Sequence, residues 1–308
     1  MQEVILSVVV ITYNQEEYIA QTLDSILNQE HTYKYEIIIG EDSSSDNTKK
    51  VIEEYVEKYP EIIKPMYNNS NMGLIKNYFN VISRCQGKYI MECAGDDYWL
   101  PGKVKRQIDF LENNPDVGMC FGNVETLPKS DKKIEKKNRS VSFNDLIKCN
   151  CIPALTICCR AKLIDNYIKE INPIDKKWLM EDYPMWLYVS LKNKIVYLPE
   201  VFGVYRILEN SISHSVSIDK QVKFNKSEND IRNFYLNIQN KDLLEFDENR
   251  NYFNLHFSLL LKNYDELTFS KCLYYGEKIK KITIKEKIKF YLVKYGIFSF
   301  LMKHVRGK

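Results

Sequence analysis

Two aspartates, Asp96 and Asp97, stand side by side in "MECAGDDYW", straight after an apolar run and just before two aromatics. Adjacent carboxylates repel unless a proton, water or a cation lies between them. A third carboxylate, Asp42 in "EIIIGEDSSSDNT", also follows an apolar run. Carboxylates at strand ends can hold a divalent ion against a diphosphate, because Mg²⁺ takes one or two protein carboxylates together with phosphate oxygens and water. The two common phosphate-binding fingerprints are missing: there is no G-x-G-x-x-G after a strand and no G-x-x-x-x-G-K-[ST]. That argues against a dinucleotide oxidoreductase and against a P-loop enzyme.

The elements that must carry these residues alternate along the first half. Residues 4–12, 35–40, 62–67 and 88–94 are short β-branched or apolar runs that read as strands. Between them lie helical patterns: 16–28, with Ile19, Leu23, Ile26 and Leu27 at helical spacing, then 48–59, then a helix ending near Cys85. Pro101 is placed to open a further helix. Such alternation predicts an α/β fold with a doubly wound, mostly parallel sheet. Ligands of these sheets sit outside the carboxyl ends of the strands, so Asp42, after the second strand, and Asp96–Asp97, after the fourth, are expected on one edge.

Farther along, the sequence predicts a strand at 117–124, a charged surface loop "KSDKKIEKKNR", a short helix started by Ser142, and a strand in "CIPALTICCR". A helix beginning near Glu181 and two strand pieces, 195–198 and 201–206, follow. From about Ser217 the pattern is helical to the end, which divides the chain into residues 1–215 and a helical region, 216–308.

With 308 residues, 44% hydrophobic and 28% charged, the chain can bury a full core. Residues 4–11 lack a basic leader and read as a buried strand instead of a signal peptide, and no stretch is apolar enough to span a bilayer. The eight cysteines are then expected as reduced thiols in the cytoplasm. Zinc binding by Cys149, Cys151, Cys158 and Cys159 is the less favoured alternative, since paired C-x-x-C spacing is absent. The net charge of +3 is uneven: from Lys271 onward eleven basic residues stand against Glu277 and Glu286, a balance of +9 that leaves −6 for the rest. The tail also carries Ile284, Ile288, Tyr291, Leu292, Tyr295, Phe298, Leu301 and Val305 at helical spacing among lysines. A basic amphipathic helix of this kind suits a peripheral membrane surface, or its stripe packs on the neighbouring helices; nucleic acid is not expected, as no binding motif accompanies the charge.

The segments "VVVITYNQEEYIAQTLDSILNQ", "EIIIGEDSSSDNT", "GKYIMECAGDDYW" and "MEDYPMWL" together resemble the glycosyltransferase family 2 enzymes of GT-A fold, over residues 6–213. The resemblance implies an inverting transfer of a sugar from a nucleoside diphosphate donor, expected to be a UDP-sugar, to a saccharide or lipid-linked acceptor in cell-surface polysaccharide synthesis. It implies Mn²⁺ or Mg²⁺ as cofactor. Carried over by position, Thr12 and Tyr13 match the base pocket and Asp42 the aspartate that bonds the base. Asp96 matches the ribose contact, Asp97 the metal ligand, and Arg206 a basic residue near the diphosphate. Asp182 matches the general base, with Glu181 beside it on the acceptor side.

Two departures and several plainer readings accompany this. Gly95 precedes the pair where many relatives have D-x-D, and Leu208 stands where many have a histidine two residues after the arginine, with His214 no substitute for it. Asp42 also suits a helix cap, Asp182 the first turn of a helix, and Lys76 an exposed helix face, although it too can reach the nucleotide. Trp99 and Trp186 both suit packing better than a sugar platform, with Trp99 assigned weakly to the acceptor side. A sugar nucleotidyltransferase is the alternative enzyme class, though "TYNQEE" is neither Gly-rich nor basic, and a sugar-nucleotide-binding protein without catalysis is the third reading.

Overall fold

A computed structural model describes residues 3–129, 140–208, 217–239, 247–262 and 266–295. The charged loop at 130–139, His214 and the apolar tail positions Phe298, Leu301 and Val305 lie outside the described residues. The chain forms two compact units, Met1–Leu208 and Glu209–Lys308.

The first unit is built on a nine-stranded sheet. Its strands are β1 (Leu6–Thr12), β2 (Tyr35–Glu41), β3 (Ile63–Tyr67), β4 (Tyr89–Ala94), β5 (Tyr98–Trp99), β6 (Val117–Leu127), β7 (Ser140–Val141), β8 (Cys158–Arg160) and β9 (Lys194–Arg206). The order is β3-β2-β1-β4-β8-β6-β9-β5, with β7 also on β9. β3, β2, β1 and β4 are parallel to one another, and so are β6 and β9. β8 is antiparallel to both β4 and β6, so β6 and β9 run with the first four. The expected doubly wound, mostly parallel sheet is therefore present. Leu6, Val8, Val10, Ile37, Ile39 and Met91 are wholly buried, as continuous apolar runs in a sheet covered on both faces should be.

Helices α1 (Ile19–Leu27), α2 (Thr48–Lys58), α3 (Leu74–Ile82), α4 (Lys103–Asn113), α5 (Phe143–Lys148), α6 (Ala161–Ile171) and α7 (Asp182–Lys192) belong to this unit. α1 buries Ile19, Thr22, Leu23 and Ile26, the face its spacing predicts. α5 starts at Ser142 with a full capping box to Asp145.

Three local expectations are corrected. Most of "CIPALTICCR" is not a strand: Ala154–Thr156 form a 3₁₀ turn and only Cys158–Arg160 pair, because Pro153 has no N–H to give and its carbonyl instead accepts from the Thr156 hydroxyl at 2.9 Å. The two pieces at 195–198 and 201–206 are one strand, β9, whose register against β6 slips between Phe121 and Val124, and that slip absorbs Pro199. α4 begins at Lys103, not Pro101, because Gly102 takes a left-handed conformation (φ 85°) just ahead of it.

The second unit holds α8 (Ile218–Ile238), α9 (Glu248–Lys262), α10 (Glu266–Glu277) and α11 (Ile284–Lys294). Phe253, Phe257, Leu260, Cys272, Phe290 and Val293 form its core. A β-carbon at Gly276 would lie 2.4 Å from the Phe290 ring, so the close approach of α10 and α11 requires glycine there.

Candidate active site

Thr12, Asp42, Asp96, Asp97 and Arg206 all come at or just beyond the carboxyl ends of β1, β2, β4 and β9. Backbone bonds lock the first three strand ends together: Asp42 N–H donates to Thr12 O at 3.1 Å, and Gly95 N–H donates to Ile11 O at 2.9 Å. Thr12 is buried and Tyr13, next to it, is 47% exposed, so its ring is open to a ligand. The turns after β1 and β2 hold each other. Asn14 and Ser43 sit at positive φ, Asn14 Oδ1 accepts from Ser45 N–H at 2.8 Å, and Glu16 accepts from Asn47 N–H at 2.7 Å. Non-glycine residues in the left-handed region are costly and concentrate at functional sites.

Asp42 is not a helix cap. α2 opens at Thr48, whose N–H and hydroxyl both go to Asp46. The buried Asp42 carboxylate instead gathers the 68–73 loop, accepting from Asn68 Nδ2 and Met72 N–H on Oδ1 and from Gly73 N–H on Oδ2, each at 2.9 Å. Lys76 lies on the exposed face of α3, which follows that loop.

Gly95 has a packing reason that its sequence context did not disclose. A β-carbon there would stand 2.6 Å from Thr12 Oγ1 and 2.7 Å from Thr12 Cβ, so the backbone at the start of the aspartate pair lies directly against the end of β1. The Thr22 hydroxyl, from α1, is within 2.9 Å of Gly95 O and 2.6 Å of Asp97 O and fixes the same turn. Asp97 is 3% exposed, and its Oδ1 accepts from Arg206 N–H at 2.8 Å; Asp96 is the more open of the two. Burial, and next the Asp96 charge, push the Asp97 carboxyl up to about 8. Burial also raises Asp96, with the Arg206 guanidinium pulling the other way.

Arg206 is expected near a diphosphate at the mouth of the site; the structure shows a clamp. Its guanidinium lies 5.0 Å from the centres of both the Tyr18 and the Tyr98 rings and donates to Asp96 O and Gln21 Oε1. The side chain is only 8% exposed, which ties its charge to the turn that carries the pair.

The two carboxylates fit a divalent ion that arrives with a diphosphate. Burial, more than the Asp96 charge, raises the proton affinity of Asp97, and burial raises that of Asp96; Arg206 offsets this only in part, so a cation there would be held in place of a proton. Among the described residues no three His, Cys, Asp or Glu side chains come together as a complete cage, so the remaining ligands would be phosphate oxygens and water. The cysteines form no such set either: Cys149 is exposed, Cys151 half-buried, and Cys158 and Cys159 buried.

A second acidic group surrounds the start of α7. Asp182 is its first residue, and Glu181 precedes it; both are half-buried. Glu92, inside β4 and 6% exposed, belongs with them, and its Oε1 accepts from the Tyr78 hydroxyl at 2.5 Å. Burial and then the Asp182 charge push Glu181 up to about 8; burial, with a further contribution from Asp182, takes Glu92 to about 8 against the pull of the Tyr78 bond and Lys103. Sequence reasoning missed Glu92, although a charged residue in the middle of a run predicted to be fully buried is itself a signal. Trp99 does not reach an acceptor. It is 2% exposed, its indole N–H donates to Glu92 O at 3.2 Å, and the wholly buried Lys103 ammonium lies 4.6 Å from its ring centre. Trp186 is wholly buried too.

Glu92 leads to a stability prediction with a definite sign. Its folded-state affinity for a proton exceeds the unfolded one, so its contribution is complete below about pH 4.5 and is lost as pH rises through about 8. Glu92→Gln removes one proton from this linkage. Without added metal, urea unfolding of the variant between pH 5 and 8 should lose stability less steeply than wild type, by about 1 kcal/mol per pH unit. Parallel curves would show that Glu92 is ionised in the fold.

Comparison with known proteins places the geometry. The sequence profile described as "Glycosyl transferase family 2" matches residues 7–167. An uncharacterized protein of Mycobacterium tuberculosis is 32% identical over 225 residues, 70% of this chain, and the match spans 62% of that relative's length. The Escherichia coli UDP-Glc:α-D-GlcNAc-diphosphoundecaprenol β-1,3-glucosyltransferase WfgD is 26% identical over 219 residues, 69% of this chain and 81% of WfgD. Among solved structures, residues 1–349 of S. aureus TarS in complex with UDP-GlcNAc superpose with a TM-score of 0.65 at 18% identity, over 96% of this chain and 88% of that one. This last likeness concerns the fold.

Proposed function

The chain belongs to glycosyl transferase family 2, and we propose that it moves a sugar from a nucleoside diphosphate donor, a UDP-sugar, to a hydroxyl of a saccharide acceptor, with inversion at the anomeric carbon. The observation that carries this reading is the convergence of Thr12, Asp42 and the Asp96–Asp97 pair on one carboxyl edge, with the exposed Tyr13 ring beside them. In this reading Tyr13 stacks on the base, Asp42 bonds the base, and Asp96 bonds the ribose. Asp97 and Asp96 would hold Mn²⁺ or Mg²⁺, which when bound neutralises charge on the diphosphate as it leaves. Arg206 keeps the pair in place through its amide and guanidinium bonds.

On the acceptor side, Asp182 takes the proton from the attacking hydroxyl, an alcohol being a poor nucleophile until a positioned carboxylate does so. Glu181 and Glu92 keep their own protons near neutral pH, which spares Asp182 two neighbouring negative charges. Inversion follows when that base lies on the face of the sugar opposite the diphosphate. The name of WfgD gives it UDP-Glc and a diphosphoundecaprenol-linked acceptor, which supports a UDP-sugar donor and a lipid-linked saccharide acceptor. The eight cysteines, none of them in a disulfide, fit work in the cytoplasm.

Incubated with a UDP-sugar, Mn²⁺ and a polyprenyl diphosphate-linked saccharide, the protein should release UDP. A nucleotidyltransferase given a nucleoside triphosphate and a sugar phosphate would release pyrophosphate instead, and a binding protein would release nothing.

A further inference from the structure

α11 has two apolar faces, and among the described residues only one is used in packing. Phe290 and Val293 enter the core of the helical unit, and Glu286 is turned in beside them. On the other side Ile284 is 81%, Ile288 57%, Tyr291 45% and Tyr295 67% exposed. At about 100° per residue these four fall within about 60° of one another and roughly opposite the core face. A helix half-covered by its own domain normally turns polar residues to water. Here the outermost stripe is aliphatic and aromatic, with the Tyr291 and Tyr295 rings stacked 5.7 Å apart.

Its borders are basic. Exposed Lys285 flanks the stripe on one side, exposed Lys287 and Lys294 on the other, and exposed Lys281 lies just ahead of it. The one carboxylate between positions 278 and 295, Glu286, is withdrawn: it accepts from Thr283 N–H at 2.8 Å and from Arg250 Nε at 2.7 Å. Nothing negative from α11 itself therefore offsets the lysines.

We infer that this outer face of α11 docks on an anionic lipid surface, with Ile284, Ile288 and the two tyrosines entering the headgroup boundary and the lysines meeting lipid phosphates. Apolar side chains bordered by lysines are what an interfacial helix presents, and tyrosine rings favour the headgroup level. A second copy of the chain is the poorer occupant, since pairing two such faces would bring the lysine rims together. The binding is independent of the transfer proposed for the first unit. It divides the tail between the two uses its sequence suggested: the 290/293 side packs, and the 284/288/291/295 side is free for a bilayer.

The test is flotation of the full chain with vesicles of phosphatidylcholine alone and of equimolar phosphatidylcholine and phosphatidylglycerol. The protein should float with the mixed vesicles only, and high salt should release it. Ile288→Glu combined with Tyr291→Glu should lower partitioning about a hundredfold, without moving the melting temperature, because both side chains lie outside the core. Lys285→Glu, Lys287→Glu and Lys294→Glu together, which leave the apolar stripe in place, should abolish the preference for phosphatidylglycerol. Equal flotation of the Ile288/Tyr291 variant and wild type, equal binding to both vesicles, or a wild-type dimer that this variant turns into a monomer would each overturn the assignment.

Discussion

Asp182→Asn should leave donor binding within about twofold of wild type and lower transfer about a thousandfold. The substitution keeps the shape of the side chain, and an amide oxygen can still accept the Tyr183 N–H that lies 2.6 Å from Asp182 Oδ1. Basicity is what is lost. Glu181 is a poor replacement, since burial and its acidic neighbours hold it up to about 8 and therefore protonated near neutral pH. In the variant, Glu181 and Glu92 each lose a charged neighbour and release their protons at lower pH. Residual transfer that rises with pH would then trace to them, whereas transfer at the wild-type rate would show that Asp182 is not the base. The same substitution tests the plainer reading of Asp182 as a first-turn residue complementing the helix dipole: that role is worth about 0.3–1 kcal/mol of stability and would leave turnover intact.

Asp97→Asn should weaken Mn²⁺-dependent donor binding about a hundredfold. The amide side chain would keep an oxygen for Arg206 N–H, so the junction between the aspartate turn and β9 survives while the negative charge goes. Above about pH 8, where metal-free Asp97 ionises, the amide also relieves the repulsion within the pair, and there the variant should melt at or above the wild-type temperature in the absence of metal. Calorimetric titration of UDP with and without Mn²⁺ separates the two effects. Unchanged Mn²⁺ dependence in a variant that remains folded would move the ligand role away from Asp97, and Asp96, the more open carboxylate, would be next to test.

Much of this edge could be read before any coordinates. Strand runs such as 35–40 and 88–94 are apolar on both faces, and a sheet buried on both sides leaves that signature in sequence, so the order of elements and the shared edge of Asp42 and Asp96–Asp97 followed directly. What escaped depends on residues far apart in the chain. Gly95 looked like a departure from a motif until Thr12, from β1, was found against it. The packing of Arg206 was not legible, because its two ring partners, Tyr18 and Tyr98, come from the N-cap of α1 and from β5. Trp99 was misplaced for the same reason. Its weak acceptor-side assignment gives way to the packing reading because Tyr98–Trp99 pair with Val204 and Gly203 of β9, a partner about a hundred residues later, and the indole is buried. Glu92 is the converse case: one carboxylate in an apolar strand carries no motif, and its link to Tyr78, Glu181 and Asp182 exists only once β4, α3 and α7 have met.

The stereochemistry of the product tests the central proposal most directly. With a UDP-sugar, Mn²⁺ and an acceptor that supports UDP release, proton coupling at the new anomeric centre should show the configuration opposite to the donor's, and UDP should appear in step with the glycoside. A product that retains the donor configuration, or sugar transfer that Asp182→Asn leaves untouched, would contradict a single displacement driven by that carboxylate.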